Sequence, residues 1–176
     1  MNGEPTARLP LTAAQAGIWF AQSLDPTNPV YAVAEQVDID GPLDTALFAR
    51  ALRLVVAEAE ALRIAVVEGE SGSQQLVRSE VDVPVEVVDL ASGADADAWT
   101  ARRLARPIGA RGDDLVEFAL LRLGEQRHRW FARYHHVVLD GAGTALVERR
   151  VAEVYTALAR GLDAGPNPFG PVTGLL

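Results

Sequence analysis

Apolar residues recur at helical spacing in four segments of the chain, and these segments predict helices. The clearest is LDTALFARALRLVVAEAEALR, which follows the pattern from the N-cap Asp44 onward. Its apolar stripe comprises Leu47, Ala51, Leu54, Val55 and Leu62. The others are LPLTAAQAGIWFAQSL with Thr12 as N-cap, DADAWTARRLARPI ending near Pro107, and TALVERRVAEVYTALARG with Gly161 as its C-terminal cap.

Alternating or short apolar runs predict the strands. YAVAEQVDIDGPL and VPVEVVDL each predict one strand. RIAVVEGESGSQQLVRS predicts a hairpin turning at residues 69–73, and LVEFALLRLGEQRHRWFARYHHVVL predicts a longer hairpin turning at 124–126. Together these elements predict an α+β fold, with a mixed or antiparallel sheet flanked by helices. The Pro/Gly-rich tail LDAGPNPFGPVTGLL has no helix or strand signal and is interpreted as a linker.

The composition is that of a globular protein with an acidic surface. Of the 176 residues, 49% are apolar and 23% are charged, which fits one domain or one lobe of a larger protein. No apolar run reaches the roughly 18 residues of a membrane span, and MNGEPTARLP lacks a secretory core, so we expect a cytoplasmic protein. The net charge of −8 disfavours a nucleic-acid partner.

Two missing residue types exclude several chemistries. The chain contains no cysteine, so it has no disulfide framework, no thiolate nucleophile and no thiolate metal site. It contains no lysine either, which excludes Schiff-base catalysis and the lysine of a phosphate-binding loop. The GxSxG, GxGxxG and HExxH motifs are also absent from the sequence.

The candidate chemistry lies in RYHHVVLDGAGTALVERR, which contains two of the three histidines. Neighbouring side chains of a strand point to opposite faces, so we expect His136 to share a face with Tyr134 and His135 to face the other way. The two rings then cannot readily chelate one metal ion, and we expect no metal site. A single imidazole facing a cleft can accept, share or donate a proton near neutral pH.

The residues after the histidines leave more than one interpretation open. Gly141 and Gly143 allow close approach of the backbone to a ligand, just before a helix N-terminus. Asp140 is placed to orient a histidine, to pair with an arginine or to cap the last helix. From this pattern alone, half-buried strand histidines and a capping aspartate remain an alternative to a catalytic site.

The segment HHVVLDG, residues 135–141, fits the HHxxxDG signature, and the chain resembles the condensation domains of nonribosomal peptide synthetases. Three further stretches agree in the expected order. LTAAQAGIWFAQ resembles the opening motif of the family, with Gln15 and Trp19 in place, and NPVYAVAEQVDIDGPLD resembles its first strand. EALRIAV resembles the second motif, although Ala59 stands where the family usually has a histidine.

The resemblance implies a chloramphenicol acetyltransferase-like lobe and an amide-forming acyltransferase. The α-amine of one carrier-bound aminoacyl thioester attacks another carrier-bound acyl thioester. Both substrates arrive on phosphopantetheine arms, and the domain binds no cofactor of its own. His136 is then the catalytic residue facing the tunnel, as proton acceptor or positioning group, and His135 supports it. The backbone of Gly141 lines the site. Asp140 forms a structural ion pair, for which Arg63 is the candidate partner.

The length of the chain implies only part of such a domain. Family members contain two similar lobes, so residues 1–162 are interpreted as the N-terminal lobe and 163–176 as a linker toward a C-terminal lobe. Alone, the lobe is expected to fold, to be nearly inactive and to self-associate through an exposed apolar face. The expected partners are the missing lobe, upstream and downstream peptidyl carrier proteins and an adenylation domain, and neither nucleic acid nor a membrane. Because the match begins at about Leu9, we expect no large segment before it.

Several alternatives share the resemblance. A non-catalytic recruitment domain of the same fold tends to lose the second histidine or the Asp-Gly pair, and both are present here. A standalone acyltransferase acting on a soluble alcohol or amine would be expected to form a trimer. Epimerisation domains share HHxxxDG but usually carry a tryptophan after it, whereas GAGTALVE follows here. Heterocyclising domains have acidic residues in place of the first histidines.

Overall fold

Two β-sheets and four α-helices form the part of the chain that the computed structural model describes, residues 5–70, 72–109, 112 and 114–175. The strands are β1 (Pro5–Pro10), β2 (Ala32–Asp40), β3 (Ile64–Gly69), β4 (Gly72–Arg78), β5 (Val85–Asp89), β6 (Val116–Gly124) and β7 (Arg127–His135). The helices are α1 (Ala13–Leu24), α2 (Thr45–Glu58), α3 (Gly93–Leu104) and α4 (Gly141–Arg160). Short 3-10 helices span Pro29–Tyr31, Glu60–Arg63 and Val172–Leu175.

The larger sheet has the strand order β2-β7-β6-β5 and the smaller sheet the order β1-β4-β3. All pairs are antiparallel except β5 with β6, which are parallel. The predicted α+β fold with a mixed or antiparallel sheet is therefore confirmed, as are the two hairpins β3–β4 and β6–β7. Strand β1 was not predicted, because its terminal residues Pro5 and Pro10 weaken the strand signal in the sequence. In the structure the strand forms by pairing with β4.

Helices cover both faces of the larger sheet, and this places the core. Helices α2 and α4 pack together on one face, where Phe48 lies edge-on to Trp130 at a ring-centroid distance of 5.5 Å. On the other face, Trp99 of α3 lies edge-on to Phe131 at 5.2 Å. The alternation predicted for the strand before the histidines is thus confirmed for Trp130 and Phe131, which face opposite layers.

Two helix boundaries differ from the sequence pattern. The run predicted as one helix through Arg63 divides, because α2 ends at Glu58 and a 3-10 helix begins at Glu60. Helix α4 begins at Gly141 rather than at Thr144, since the side chain of Asp140 caps it. It ends at Arg160, and Gly161, which has a φ of +66°, is its C-terminal cap as predicted. No helix in the described ranges is long and apolar enough to cross a membrane.

The Pro/Gly-rich tail after α4 folds back onto the lobe. Ala164 and Phe169 pack against the main core, and Val172 is buried in it with 3% of its surface exposed. The tail contains a 3-10 helix at Val172–Leu175 that the sequence did not indicate. Its position follows from contacts with α2 and α4, which a local sequence pattern cannot reveal.

Candidate active site

The histidine pair lies where β7 gives way to the turn before α4. His135 is the last residue of the strand, and its carbonyl accepts a hydrogen bond from Val138 N at 3.0 Å, which closes a tight turn. The amide of His136 donates to the carbonyl of Tyr31 at 2.8 Å, and the His136 side chain is exposed. The expectation that His136 occupies the same strand face as Tyr134 is wrong, because the strand ends one residue earlier. The turn directs the His136 ring outward.

His136 lines an open cavity of about 400 Å³. Four parts of the chain meet there: the start of α1, the 3-10 helix at Glu60–Arg63, the turn before α4 with its first residues, and the tail. The lining residues are Thr12, Gln15, Ala59, Glu60, Ala61, His136, Val137, Val138, Leu139, Asp140, Gly143, Leu146, Val147, Phe169, Gly170, Pro171 and Val172. Most of this surface is apolar, and the polar side chains of Thr12, Gln15, Glu60 and Asp140 that also line it form hydrogen bonds within the lobe.

The hydrogen bond of the His136 ring fixes its tautomer. Nδ1 lies 3.1 Å from the carbonyl oxygen of Leu139. A carbonyl oxygen only accepts, so the proton of the neutral ring is on Nδ1. The lone pair is therefore on Nε2, for which no hydrogen bond is recorded among the described residues. In this form His136 is able to accept a proton or a hydrogen bond from a ligand in the cavity.

His135 is fully buried and has the opposite tautomer. Its Nδ1 accepts a hydrogen bond from Val137 N at 3.1 Å, so the ring proton is on Nε2, 3.4 Å from Oε1 of Gln22. Burial, reinforced by the nearby His136, lowers the pKa of His135 to about 4. A neutral His135 thus binds the backbone of the turn through Val137 N.

The space around His135 depends on a glycine. Gly109 has a φ of +83°, and a Cβ atom there would lie 2.7 Å from Cδ2 of the His135 ring. Trp19 and Tyr31 contact the same ring, with centroid distances of 5.9 and 6.2 Å. The His135 ring therefore has little freedom to move. Because this ring accepts a hydrogen bond from Val137 N, it also restrains the backbone of the turn.

Gln15 connects the start of α1 to the histidine turn. Its Oε1 accepts from the amide of Thr12 at 2.9 Å, while the Thr12 hydroxyl accepts from the amide of Gln15, which forms a capping box. Its Nε2 donates to the carbonyl of Val137 at 3.0 Å and to Oε1 of the buried Gln75 at 3.1 Å. Gln15 thus positions the residue directly after His136, a role that its place in the opening motif did not specify.

Asp140 and the glycines after it form the N-terminus of α4. Oδ1 of Asp140 accepts from Gly143 N at 2.8 Å, and its carbonyl accepts from the amide and the hydroxyl of Thr144, each at 2.9 Å. The expectation that Gly141 lines the site is wrong: Gly141 is exposed with open space around it, and of the two glycines after Asp140 it is Gly143 that lines the cavity. A Cβ atom at Gly143 would lie 2.8 Å from a methyl group of Leu139, so Gly143 is the position where the backbone packs closely against its surroundings.

The predicted ion pair between Asp140 and Arg63 is wrong. The Arg63 side chain is buried and donates to the backbone carbonyls of Arg78 and Ser79, at the end of β4. Asp140 uses its carboxylate to cap α4 instead. Arg63 therefore stabilises the junction between the 3-10 helix and the small sheet, and it does not line the cavity.

Two parts of the site carried no signal in the sequence pattern. Glu60 lines the cavity and accepts a hydrogen bond from Val172 N at 2.8 Å, and the tail residues 169–172 form one side of the cavity. Glu60 is the first residue of the second motif, EALRIAV, but the motif did not place it beside the histidine turn. Among the described residues, no group of three or more histidine, aspartate and glutamate side chains is arranged to hold a metal ion.

Comparisons with known proteins agree with this fold. A family model described as the condensation domain matches residues 6–171. The chain is 43% identical to an isonitrile lipopeptide synthase of Streptomyces coeruleorubidus over 99% of its own length, and 41% identical to a dimodular nonribosomal peptide synthase of Bacillus subtilis over 94%. The crystal structure of the starter condensation domain of rhizomide synthetase superposes on 97% of the chain with a TM-score of 0.90 and 35% identity.

The chain therefore belongs to the condensation domain family, as the motifs indicated. It spans only a small part of its relatives: 12% of the Streptomyces protein, 7% of the Bacillus protein and 44% of the rhizomide synthetase domain. A second solved structure, the first condensation domain of the CDA synthetase, is covered to 43% with a TM-score of 0.86 and 34% identity.

Proposed function

We propose that residues 1–162 are the N-terminal lobe of a condensation domain that forms amide bonds in nonribosomal peptide synthesis. The observation that supports this most directly is the exposed His136 ring in the cavity, with Nδ1 bound to the carbonyl of Leu139 and Nε2 without a hydrogen bond to any residue that the structure describes. Residues 163–176 lead toward a second lobe, which completes the tunnel. The domain acts in the cytoplasm with upstream and downstream peptidyl carrier proteins and an adenylation domain.

The reaction joins two thioesters held on phosphopantetheine arms. The neutral α-amine of the acceptor attacks the carbonyl carbon of the donor thioester, so that a C–N bond forms and the C–S bond breaks. The nitrogen loses one proton, and the departing thiolate gains one. No cofactor bound by the lobe is required for this exchange, because the activated donor supplies the driving force.

The tautomer of His136 favours accepting a proton from the amine over donating a hydrogen bond to the oxyanion. With its proton on Nδ1, the neutral ring offers an acceptor at Nε2, which suits the N–H of the attacking amine. A donor role toward the oxyanion would require the protonated ring or the other tautomer. His136 therefore binds the acceptor amine and accepts its proton as the C–N bond forms.

A second candidate function differs from the first only in the acyl donor. The chain resembles an isonitrile lipopeptide synthase and a starter condensation domain whose variant was solved in complex with C8-CoA. A starter domain of this kind transfers an acyl group that carries no preceding amino acid, and this chain is then proposed to acylate the first amino acid of a peptide.

The test is single-turnover condensation by the protein containing this chain and the second lobe, with a loaded donor carrier and a loaded acceptor carrier. His136→Ala is expected to lower the rate by about 10²–10⁴-fold if the ring accepts the proton. His136→Gln is the matched control, because its amide oxygen accepts a hydrogen bond but takes up no proton. Equal losses in both variants support proton transfer, whereas recovery with glutamine indicates positioning alone.

Two results would contradict the proposal. Full activity of His136→Ala would remove the imidazole from the chemistry, and carrier binding without any condensation by the wild type would favour a recruitment domain. Aminoacyl and fatty acyl donors, compared on the same acceptor, separate the two candidate donors. Full turnover by the 176-residue chain alone would exclude the need for a second lobe.

A further inference from the structure

The tail after α4 forms one wall of the His136 cavity although it contains little regular structure. Phe169, Gly170, Pro171 and Val172 line the cavity, and Val172 is 97% buried, with 3% exposed. Between Gly161 and Val172 the chain has no helix or strand, so backbone hydrogen bonds of that kind do not hold it in place. Its position must depend on side chains of the lobe.

The main contact is made by Arg150, in the middle of α4. Its side chain is only 3% exposed, and it forms a two-pronged ion pair with Glu58 at the end of α2, with N–O distances of 2.7 and 2.8 Å. The same guanidinium donates to the carbonyls of Ala164 and Gly165 at 2.7 and 3.0 Å. A buried charge requires such partners, and the planar fork of arginine can satisfy all of them together.

Three further hydrogen bonds hold the tail between Arg150 and the cavity. Nδ2 of Asn167 donates to the backbone carbonyl of Glu58 at 3.1 Å, and its Oδ1 accepts from Phe169 N at 2.8 Å. Oε2 of Glu60 then accepts from Val172 N at 2.8 Å. The tail is thus attached at its start by Arg150, in its middle by Asn167 and at the cavity by Glu60.

We propose that Arg150 is a positioning residue for the His136 cavity, since it fixes the tail that forms the cavity wall. Arg150 itself does not line this cavity, so it acts through Glu58 and the carbonyls of Ala164 and Gly165. The consequence for catalysis rests on the proposed condensation function. A loosened cavity wall is expected to weaken substrate binding. The His136 turn itself is held separately, by the hydrogen bond of Gln15 to Val137.

The test uses Arg150→Lys, which keeps a positive charge beside Glu58 but lacks the fork that reaches both tail carbonyls. Arg149→Lys is the matched control, because this neighbouring side chain is 66% exposed and its closest carboxylate is 3.6 Å away on Glu153. Hydrogen exchange at the amides of Phe169 and Val172 is measured in the 176-residue chain. Exchange is expected to be about tenfold faster in Arg150→Lys and unchanged in Arg149→Lys.

A second readout reports on the cavity itself. Of the three histidines, His128 and His135 are 2% and 0% exposed, so diethylpyrocarbonate at a fixed pH modifies His136 first. Arg150→Lys is expected to raise this rate about two- to fivefold as the wall loosens. In the two-lobe protein, KM for the carrier-bound substrates is expected to rise several-fold while kcat stays within about twofold.

The possible results separate this proposal from the proposed function. Unchanged exchange at Phe169 and Val172 in Arg150→Lys would overturn it, and so would faster exchange spread evenly over α2 and β7, which would indicate a general loss of stability. Glu60→Ala is expected to accelerate exchange at Val172, and Glu60→Gln, which retains an acceptor, to restore it. These exchange measurements test the role of Arg150 even if no condensation is detected with any variant.

Discussion

Acidification is expected to destabilise the lobe through the buried ring of His135. Burial and the neighbouring His136 lower the pKa of His135 from 6.5 to about 4 in the folded state. In the unfolded chain the ring takes up a proton at its ordinary pKa. The unfolded state therefore binds more protons between about pH 6.5 and 4, and the free energy of unfolding falls as the pH drops through this window.

The size of the effect follows from the two pKa values. The difference between about 6.5 and about 4 corresponds to about 3 kcal/mol of lost stability once the pH is below both values. At pH 5 the unfolded ring is almost fully protonated and the folded ring is still mostly neutral, so about 2 kcal/mol of this loss is already present. Above about pH 7 the contribution is close to zero.

Urea unfolding followed by tryptophan fluorescence at pH 7 and pH 5 measures this difference. The matched variant is His135→Asn, whose Oδ1 can replace Nδ1 as the acceptor for Val137 N but does not titrate. The wild type is expected to lose about 2 kcal/mol more than the variant on going from pH 7 to pH 5. Equal losses, within about 0.5 kcal/mol, would refute a neutral buried His135.

Three other predictions follow from the same geometry. Gly109→Ala is expected to lower the free energy of unfolding by about 1–3 kcal/mol, measured in urea, because a Cβ atom would overlap the ring of His135. Asp140→Ala is expected to cost about 1 kcal/mol as a lost helix cap. A double-mutant cycle that combines Asp140→Ala with Arg63→Ala should show a coupling energy below about 0.5 kcal/mol, and a larger value would indicate that Asp140 and Arg63 do form an ion pair. Leu24, which is 72% exposed at the end of α1, is expected to promote self-association of the isolated chain, so Leu24→Ser should reduce the particle size in light scattering.

The sequence predicted the secondary structure well where the signal is local. Asp44 and Thr12 cap their helices as expected, and Gly161 ends α4, because capping depends on the few residues around each helix end. The alternation predicted along β7 also placed Trp130 and Phe131 on opposite faces of the sheet, as the structure shows. Strand β1 escaped detection because its pairing with β4 is a long-range contact.

The candidate site was predicted only in part. The HHxxxDG signature marked His136 from the sequence, but its environment depends on where β7 ends, which is decided by the hydrogen bond of its amide to Tyr31 and by the turn that follows. The carboxylate of Asp140 had several possible partners in the sequence. The adjacent helix N-terminus offers unpaired amides at short range, and the structure shows that these bind it instead of Arg63.

The sequence by itself determined most of the order of helices and strands, the family and the candidate histidine, because each rests on short motifs of residues close together along the chain. Only the tertiary structure decided that Gln15, Glu60 and the tail surround that histidine. These groups lie far apart in sequence, and their meeting is a result of how α1, α2 and α4 pack on the sheets. Buried polar groups such as Arg150 find their partners only in that packing, since burial makes an unpaired charge costly.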